Sequence, residues 1–249
     1  MNAFTRNCRP LVLLTTLLVA CDRGPDPQTQ AQAVVDEAIR AHGGELYQRA
    51  TVVFDFRDKH YRLRRNNAQF SYERTFHDST GQVRDVLDNE TFFREINGRK
   101  ATLTEKQTRS FRASLNSVAY FALLPYGLND AAVRKRYLGV TTLEGEPYRK
   151  VQITFGAEGG GTDYTDTFVY WIHRRRYTVD YLAYTNEGLR FRQAVNSRVV
   201  NGIRFSDYVN YESPTHPKAP VTALDSLFTA GKLRKLSDIV TENIRVNYP

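Results

Sequence analysis

The chain has 249 residues, 35 lysines and arginines against 27 acidic residues, a formal net charge of +8 and only two cysteines. That length allows one large domain or two small ones. Cys8 and Cys21 both lie near the amino terminus, which excludes a disulfide framework or a cysteine-built metal cluster in the body of the chain.

The first element in chain order has the layout of an export signal. Arg6 and Arg9 precede an apolar stretch, Leu11 to Ala20, that stops at Cys21. The stretch is too short for a bilayer, which takes about 20 residues to cross. Ordinary cleavage wants small residues at the first and third positions before the cut, whereas Leu18 and Val19 precede Ala20. Leu18-Val19-Ala20-Cys21 instead resembles the bacterial lipobox. The resemblance implies diacylglyceryl transfer to the Cys21 thiol, cleavage before it and acylation of the new amino terminus. Residues 1–20 would then leave, and the mature chain of 229 residues would carry +6 and no free thiol. Two or three acyl chains make a durable anchor, so the expected partner is a membrane, held through Cys21. Residues 21–30, with Pro25, Pro27 and no large apolar side chain, read as a lipidated tether. Residues 31–249 show no second linker and read as a single domain.

Within that domain, TQAQAVVDEAIRAHGG places Ala31, Val34, Val35 and Ala38 at helical spacing and stops at Gly43-Gly44. Alternating strands follow. Val52, Phe54 and Phe56 share one face, and HYRLRRNNAQFSYERTF reads as a hairpin turning at Asn66-Asn67. GQVRDVLD and ETFFREI continue the pattern. A second helix opens at Thr104 with a capping box closed by Gln107 and runs through Phe111, Leu115, Val118 and Ala122 to Pro125. Its last turns, VAYFALLPYG, are apolar all round and must be buried on every side. The segment from Val118 to Leu124 therefore reads as a plug or lid, able to pivot at Pro125-Tyr126-Gly127.

YRKVQITF, DTFVYWI, YTVDYLAY, GLRFRQAV, GIRFSDYVNY and SDIVTENIRVNY complete the strands, for about ten or eleven. In DTFVYWI, Phe168, Tyr170 and Ile172 should face one side and Val169 and Trp171 the other, both sides apolar. An ordinary sandwich would expose one set to water. A curved sheet wrapped around a helix can bury both. The expected fold is thus mainly β with helices: an unclosed, strongly curved antiparallel half-barrel, with an N-terminal helix and another plugging its concave face.

No nucleophile elbow, zinc-protease helix, P-loop or dinucleotide-binding glycine turn is present in the sequence, so neither an enzyme nor a cofactor is expected. His42, His60, His77, His173 and His216 lie in separate segments and read as surface or turn residues rather than metal ligands. AEGGGTDYTD collects Glu158, Asp163 and Asp166, but not at calcium-loop spacing, and reads as a hairpin connection. Arginines on the strands, among them Arg57, Arg62, Arg64, Arg190, Arg192 and Arg204, read as a solvated face. The compartment excludes nucleic acid.

Taken in order, these elements resemble the superfamily of periplasmic lipoprotein carriers and outer-membrane lipoprotein-sorting proteins over residues 29–248. FVYWIHRRRYTVDYLAYTNEGLRFR carries most of the resemblance. More closely, HGG at 42–44, FDFRDKHY, SLNSVAYFALLPYGLND, EGGGTDYTDTFVYWI and GIRFSDYVNY resemble uncharacterised lipoproteins of Bacteroidota-type bacteria. The resemblance implies a cell-envelope location, with the periplasmic face of the outer membrane placed ahead of the inner membrane or cell surface, and a half-barrel cavity for an acyl chain or other apolar ligand. Soluble carriers lack an anchor, so a membrane-fixed binding module fits this chain better than a shuttle. The candidate pocket residues are Phe54, Phe56, Val118, Tyr120, Phe121, Phe168 and Tyr170. Two alternatives remain: an acid-base hydrolase with a cleft near Asp163 and Asp166, and a structural or sensory envelope protein that binds a polypeptide.

Overall fold

The computed structural model describes residues 26–158, 164–185 and 188–249. Helix α1 (Pro27–His42) is capped by the Asp26 carboxylate, which accepts from the backbone N–H groups of Gln28 and Thr29. Residues 27–30, read above as tether, are therefore helical. Ala31, Val34, Val35 and Ala38 form its buried stripe, as the spacing predicts. The helix ends where Gly43 and Gly44 adopt φ of 144° and 55°, a region that favours glycine. A Cβ on Gly43 would also meet Ile203 Cγ1 at 3.1 Å, a tight contact that the isoleucine side chain would have to relieve.

Two antiparallel sheets of seven strands each make up the body. The first contains β1 (Thr51–Phe56), β2 (Lys59–Asn66), β3 (Gln69–Asp78), β4 (Gly81–Asp88), β5 (Phe92–Ile96), β6 (Arg99–Lys100) and the last strand, β14 (Thr241–Asn247), in the order β14-β1-β2-β3-β4-β5-β6. The second contains β7 (Val133–Leu143), β8 (Glu146–Phe155), β9 (Phe168–His173), β10 (Val179–Tyr184), β11 (Arg190–Val200), β12 (Ile203–Glu212) and β13 (Arg234–Ile239), in the order β13-β12-β11-β10-β9-β8-β7. Helix α2 (Glu105–Ala122) links them, and the short α3 (Leu224–Thr229) precedes β13.

The two sheets end at β14 and β6 and at β13 and β7, and among the described residues no ladder joins one sheet to the other, so no barrel closes. This order corrects the expected ten or eleven strands to fourteen among the described residues. Three departures account for the difference. Strand β7 escapes a period-two reading because its register slips between Tyr137 and Gly139, which reverses the alternation midway. SDIVTENIRVNY is two strands, β13 and β14, divided at Val240, where the chain passes from one sheet to the other. Strand β6 has only two residues.

The corner at Val240 is held from a distance. Asp207 Oδ1 accepts from Thr241 N at 3.1 Å, Thr241 Oγ1 at 3.3 Å and Arg198 Nη2 at 3.1 Å. On the opposite, open side, α2 carries the chain from free edge β6 to free edge β7 and so packs on both sheets. Leu115, Ala119 and Leu123 join the core of the first sheet with Phe54, Leu63 and Leu87. Tyr120 and Phe121 pack on the core of the second with Phe168, Tyr170 and Tyr184. The capping box at its start is formed, with Gln107 N donating to Thr104 Oγ1 and Thr104 N to Gln107 Oε1.

Every residue of β9 is buried. Phe168, Tyr170 and Ile172 face α1 and the end of α2, while Val169 and Trp171 face the other way. That outer face is covered by Val221, Leu224, Leu227, Phe228 and Leu233, from α3 and its flanks. The HRRR turn after β9 is organised by His173, whose Nδ1 accepts from the backbone N–H groups of Arg175 and Arg176 while Nε2 meets Glu146 at 3.1 Å.

Candidate ligand site

The two sheets and α2 do not meet completely. Between them lies a cavity of about 240 Å³, somewhat below the usual range for ligand clefts, ~300–1,000 Å³. Phe54, Phe56 and Arg57 reach it at the end of β1, and Thr241 and Ile244 from β14. Strand β12 contributes Arg204, Ser206, Tyr208 and Asn210, alternate residues that share one face, together with Phe205. Arg192 of β11 and Ser237 and Ile239 of β13 complete the strand side. Ser117, Val118, Phe121 and Ala122, one face of α2, form the roof with Leu124, and His42 enters from the end of α1.

Four of the residues expected at a pocket are in this wall: Phe54, Phe56, Val118 and Phe121. The other three, Tyr120, Phe168 and Tyr170, are not. Tyr120 on α2 packs with the two β9 side chains in the adjoining core, where the Phe168 ring lies 6.0 Å edge-on from Tyr120 and 6.3 Å from Tyr170 by centroids. β9 is central in its sheet and fully covered by helix, so its inward row meets protein instead of open space. Cys21 and Asp163 lie outside the described residues. Asp166 Oδ1 accepts from Thr185 Oγ1 at 3.3 Å, and Asp166 is not part of the wall.

None of the wall's polar members was expected at a pocket, and His42, Arg192 and Arg204 are the ones with a buried, unpartnered ring or guanidinium nitrogen. Period-two reading places Arg192 on the solvent side of its strand and Phe191 in the core. The segment around α3 inverts this, because it covers the outer face and buries Phe191 there, leaving Arg192 to point inward. The Arg192 guanidinium sits 4.0 Å from the Phe121 ring centroid and donates to Tyr184 Oη at 2.6 Å. His42 is 4 % exposed, and burial, reinforced by the nearby Arg204 charge, pushes its pKa down to about 3. Its ring is neutral at physiological pH. Both arginines also act on the buried Tyr208 phenol, and their pull is outweighed by desolvation that holds it up at about 12.

Among the described residues no three His, Cys, Asp or Glu side chains gather as a metal site. Nor is any described helix long and apolar enough to cross a membrane. The wall has neither a carboxylate nor a cysteine, and nothing in it pairs a nucleophile with a base.

Fold and site together define an open, two-sheet antiparallel β protein with a helix over a small cavity of mixed apolar and polar lining. The chain belongs to the family of unknown function DUF6503, which matches residues 8–242. No curated protein matches it. Among solved structures it is similar to a DUF1329 family protein from Desulfovibrio piger, with a TM-score of 0.53 at 12% identity over 89% of this chain and 93% of that one. A LolA superfamily protein from Nitrosomonas europaea gives 0.47 at 10% identity, covering 87% and 91%. A domain described as outer-membrane lipoprotein-sorting, from Vibrio parahaemolyticus, gives 0.47 at 10%, covering 88% and 93%.

Proposed function

We propose that this protein is an envelope lipoprotein, fixed to a membrane through Cys21, that holds an acyl chain or similar apolar ligand between its two sheets without catalysing a reaction. The observation that carries the reading is the cavity. Phe54, Phe56, Val118, Phe121, Leu124, Ile239 and Ile244 form the apolar part of a partly open cavity of about 240 Å³, and polar side chains complete its wall. Apolar walls with a few convergent polar groups are the usual composition of a ligand site. Helix α2 supplies the roof next to the Pro125-Tyr126-Gly127 pivot and acts as its lid. The lipobox supports the anchor, and the absence of carboxylates from the wall argues against an acid-base hydrolase here.

The test uses the purified full chain and N-phenyl-1-naphthylamine, an uncharged fluorophore that brightens in apolar sites. Binding should raise its emission, and dodecyl-chain ligands should displace it. Val118→Trp, which fills the cavity from the roof, should abolish the signal while the protein stays folded by circular dichroism. A folded Val118→Trp protein that binds the probe as before would sink the reading. Anchoring is tested separately by metabolic labelling with a palmitate analogue, where label retained by Cys21→Ser would exclude the lipobox.

A further inference from the structure

The cavity is apolar along one side and cationic along another. Arg192 and Arg204 enter from the adjacent strands β11 and β12, and the wall contains no Asp or Glu. Among the described residues neither guanidinium has a carboxylate within the 4.0 Å of an ion pair. Arg192 donates one N–H to Tyr184, but its Nε is buried without an acceptor, and so is the Nε of Arg204. His42 adds a third donor. The Val179 backbone N–H donates to its Nε2 at 3.1 Å, so in the neutral ring Nδ1 carries the proton. That Nδ1 is also buried and unpartnered.

Three unanswered donors thus belong to residues of one cavity wall. The wall's unmatched acceptor, Asn210 Oδ1, can exchange places with its own NH2 by an amide flip, which would turn that oxygen toward Ser237 Oγ, 3.5 Å from the present amide nitrogen. No such rearrangement answers the arginines. A buried donor left unmet is costly, and more so when it is charged. The burial that keeps His42 neutral beside Arg204 shows how unwelcome further positive charge is at this spot. An oxyanion supplies the kind of acceptor that these donors lack. Arg forks match carboxylate and phosphate oxygens, and such charge-assisted bonds are about twice as strong as neutral ones.

We infer that the ligand is a single-chain amphiphile ending in an oxyanion, its head on Arg192 and Arg204 and its chain along Phe54, Phe56 and Val118. The inference rests on the acyl-binding reading above and narrows it. It disfavours the lipid end of another lipoprotein, whose ester- and amide-linked chains carry no charged end, and the cavity volume suits one chain better than three.

The experiment is displacement of N-phenyl-1-naphthylamine from the full chain by five ligands: dodecanoate, dodecyl phosphate, dodecanol, dodecylamine and inorganic phosphate. Dodecanoate or dodecyl phosphate should bind at least about tenfold more tightly than dodecanol, a difference of roughly 1.4 kcal/mol. Whichever of the two is tighter identifies the head. Dodecylamine should be the weakest chain, and inorganic phosphate should displace nothing. Arg204→Gln should shrink the ratio of dodecanoate to dodecanol affinity severalfold and raise the melting temperature by removing an unpaired charge. Equal affinity for acid and alcohol overturns the anionic head but leaves acyl binding standing. Displacement by inorganic phosphate alone replaces the amphiphile with a small anion. Failure of every chain to displace the probe overturns both readings.

Discussion

The hydroxyls of Tyr120 and Tyr170 lie 2.8 Å apart beneath the last turn of α2, joining the helix to the middle of β9. Burial holds both phenols protonated, far above the ordinary tyrosine range. Each hydroxyl is therefore the other's partner in an apolar setting. Tyr120→Phe should cost about 1–3 kcal/mol by stranding the Tyr170 hydroxyl, and Tyr170→Phe a similar amount. The double variant should be less destabilised than the two losses added. Urea unfolding in a double-mutant cycle measures the difference. Additive losses would show that the two hydroxyls do not act as a pair.

Trp171, the chain's single tryptophan, lies in the outer cluster, on the far side of β9 from the cavity. Its Nε1–H donates to Asp225 Oδ2 at 3.1 Å, and Lys150 Nζ donates to the same oxygen at 2.7 Å. Asp225→Ala leaves a largely buried lysine without its counter-charge and should cost about 3–5 kcal/mol. Asp225→Asn keeps an acceptor for the indole and should cost less. Tryptophan emission should shift in the Asp225 variants and stay unchanged on ligand titration. A ligand-induced shift comparable to that of Asp225→Ala would place the site on the outer face instead.

Legibility in the sequence followed the range of the forces involved. The buried face and end of α1 and the start of α2 were readable because their signals are local: a stripe of Ala31, Val34, Val35 and Ala38, glycines at 43 and 44, and the Thr104–Gln107 box. The two-sided burial of β9 was readable because Phe168 to Ile172 contains nothing polar enough to face water. The passage from β13 to β14 was not, since no glycine or proline marks it and Asp207, more than thirty residues earlier, holds it. The cations of the cavity were hidden for the same reason. Whether Phe191 or Arg192 points inward depends on the cover provided by residues around α3, which period-two alternation cannot contain.

His42 supplies a pH dependence. Its folded pKa of about 3 lies below the ordinary histidine value of 6.5, so the unfolded chain binds a proton that the native protein refuses. Stability from this group is complete above pH 6.5 and is lost progressively as pH falls toward 3. At about 1.4 kcal/mol per pH unit, the loss by pH 4.5 amounts to a few kcal/mol. Urea midpoints at pH 7 and pH 4.5 should therefore differ more in the native sequence than in His42→Phe. Equal pH sensitivity in the two proteins would assign the acid effect to other groups.

A second buried connection secures the opposite half of α2. Asp85 is fully buried and receives two arginines: Arg74 Nη2 at 2.5 Å and Nε at 3.1 Å on Oδ2, and Arg94 Nε at 2.6 Å on Oδ1 with Nη2 at 2.9 Å on Oδ2. Both arginines continue to the helix. Arg74 Nη1 donates to Ser114 Oγ at 2.9 Å, and the Arg94 guanidinium lies 3.6 Å from the Phe111 ring centroid. Removing the carboxylate leaves two buried cations facing each other, so Asp85→Ala should cost about 3–5 kcal/mol. Replacing all three charges with apolar residues of similar size should recover much of that loss, since the pairing mainly offsets its own desolvation. Hydrogen exchange locates the damage. If the triad fastens the helix, amides in the first turns of α2 should lose protection in Asp85→Ala before those of β9, while the Tyr120 end remains held. Uniform loss across both sheets with α2 unaffected relative to them would mean that the triad stabilises β3, β4 and β5 alone.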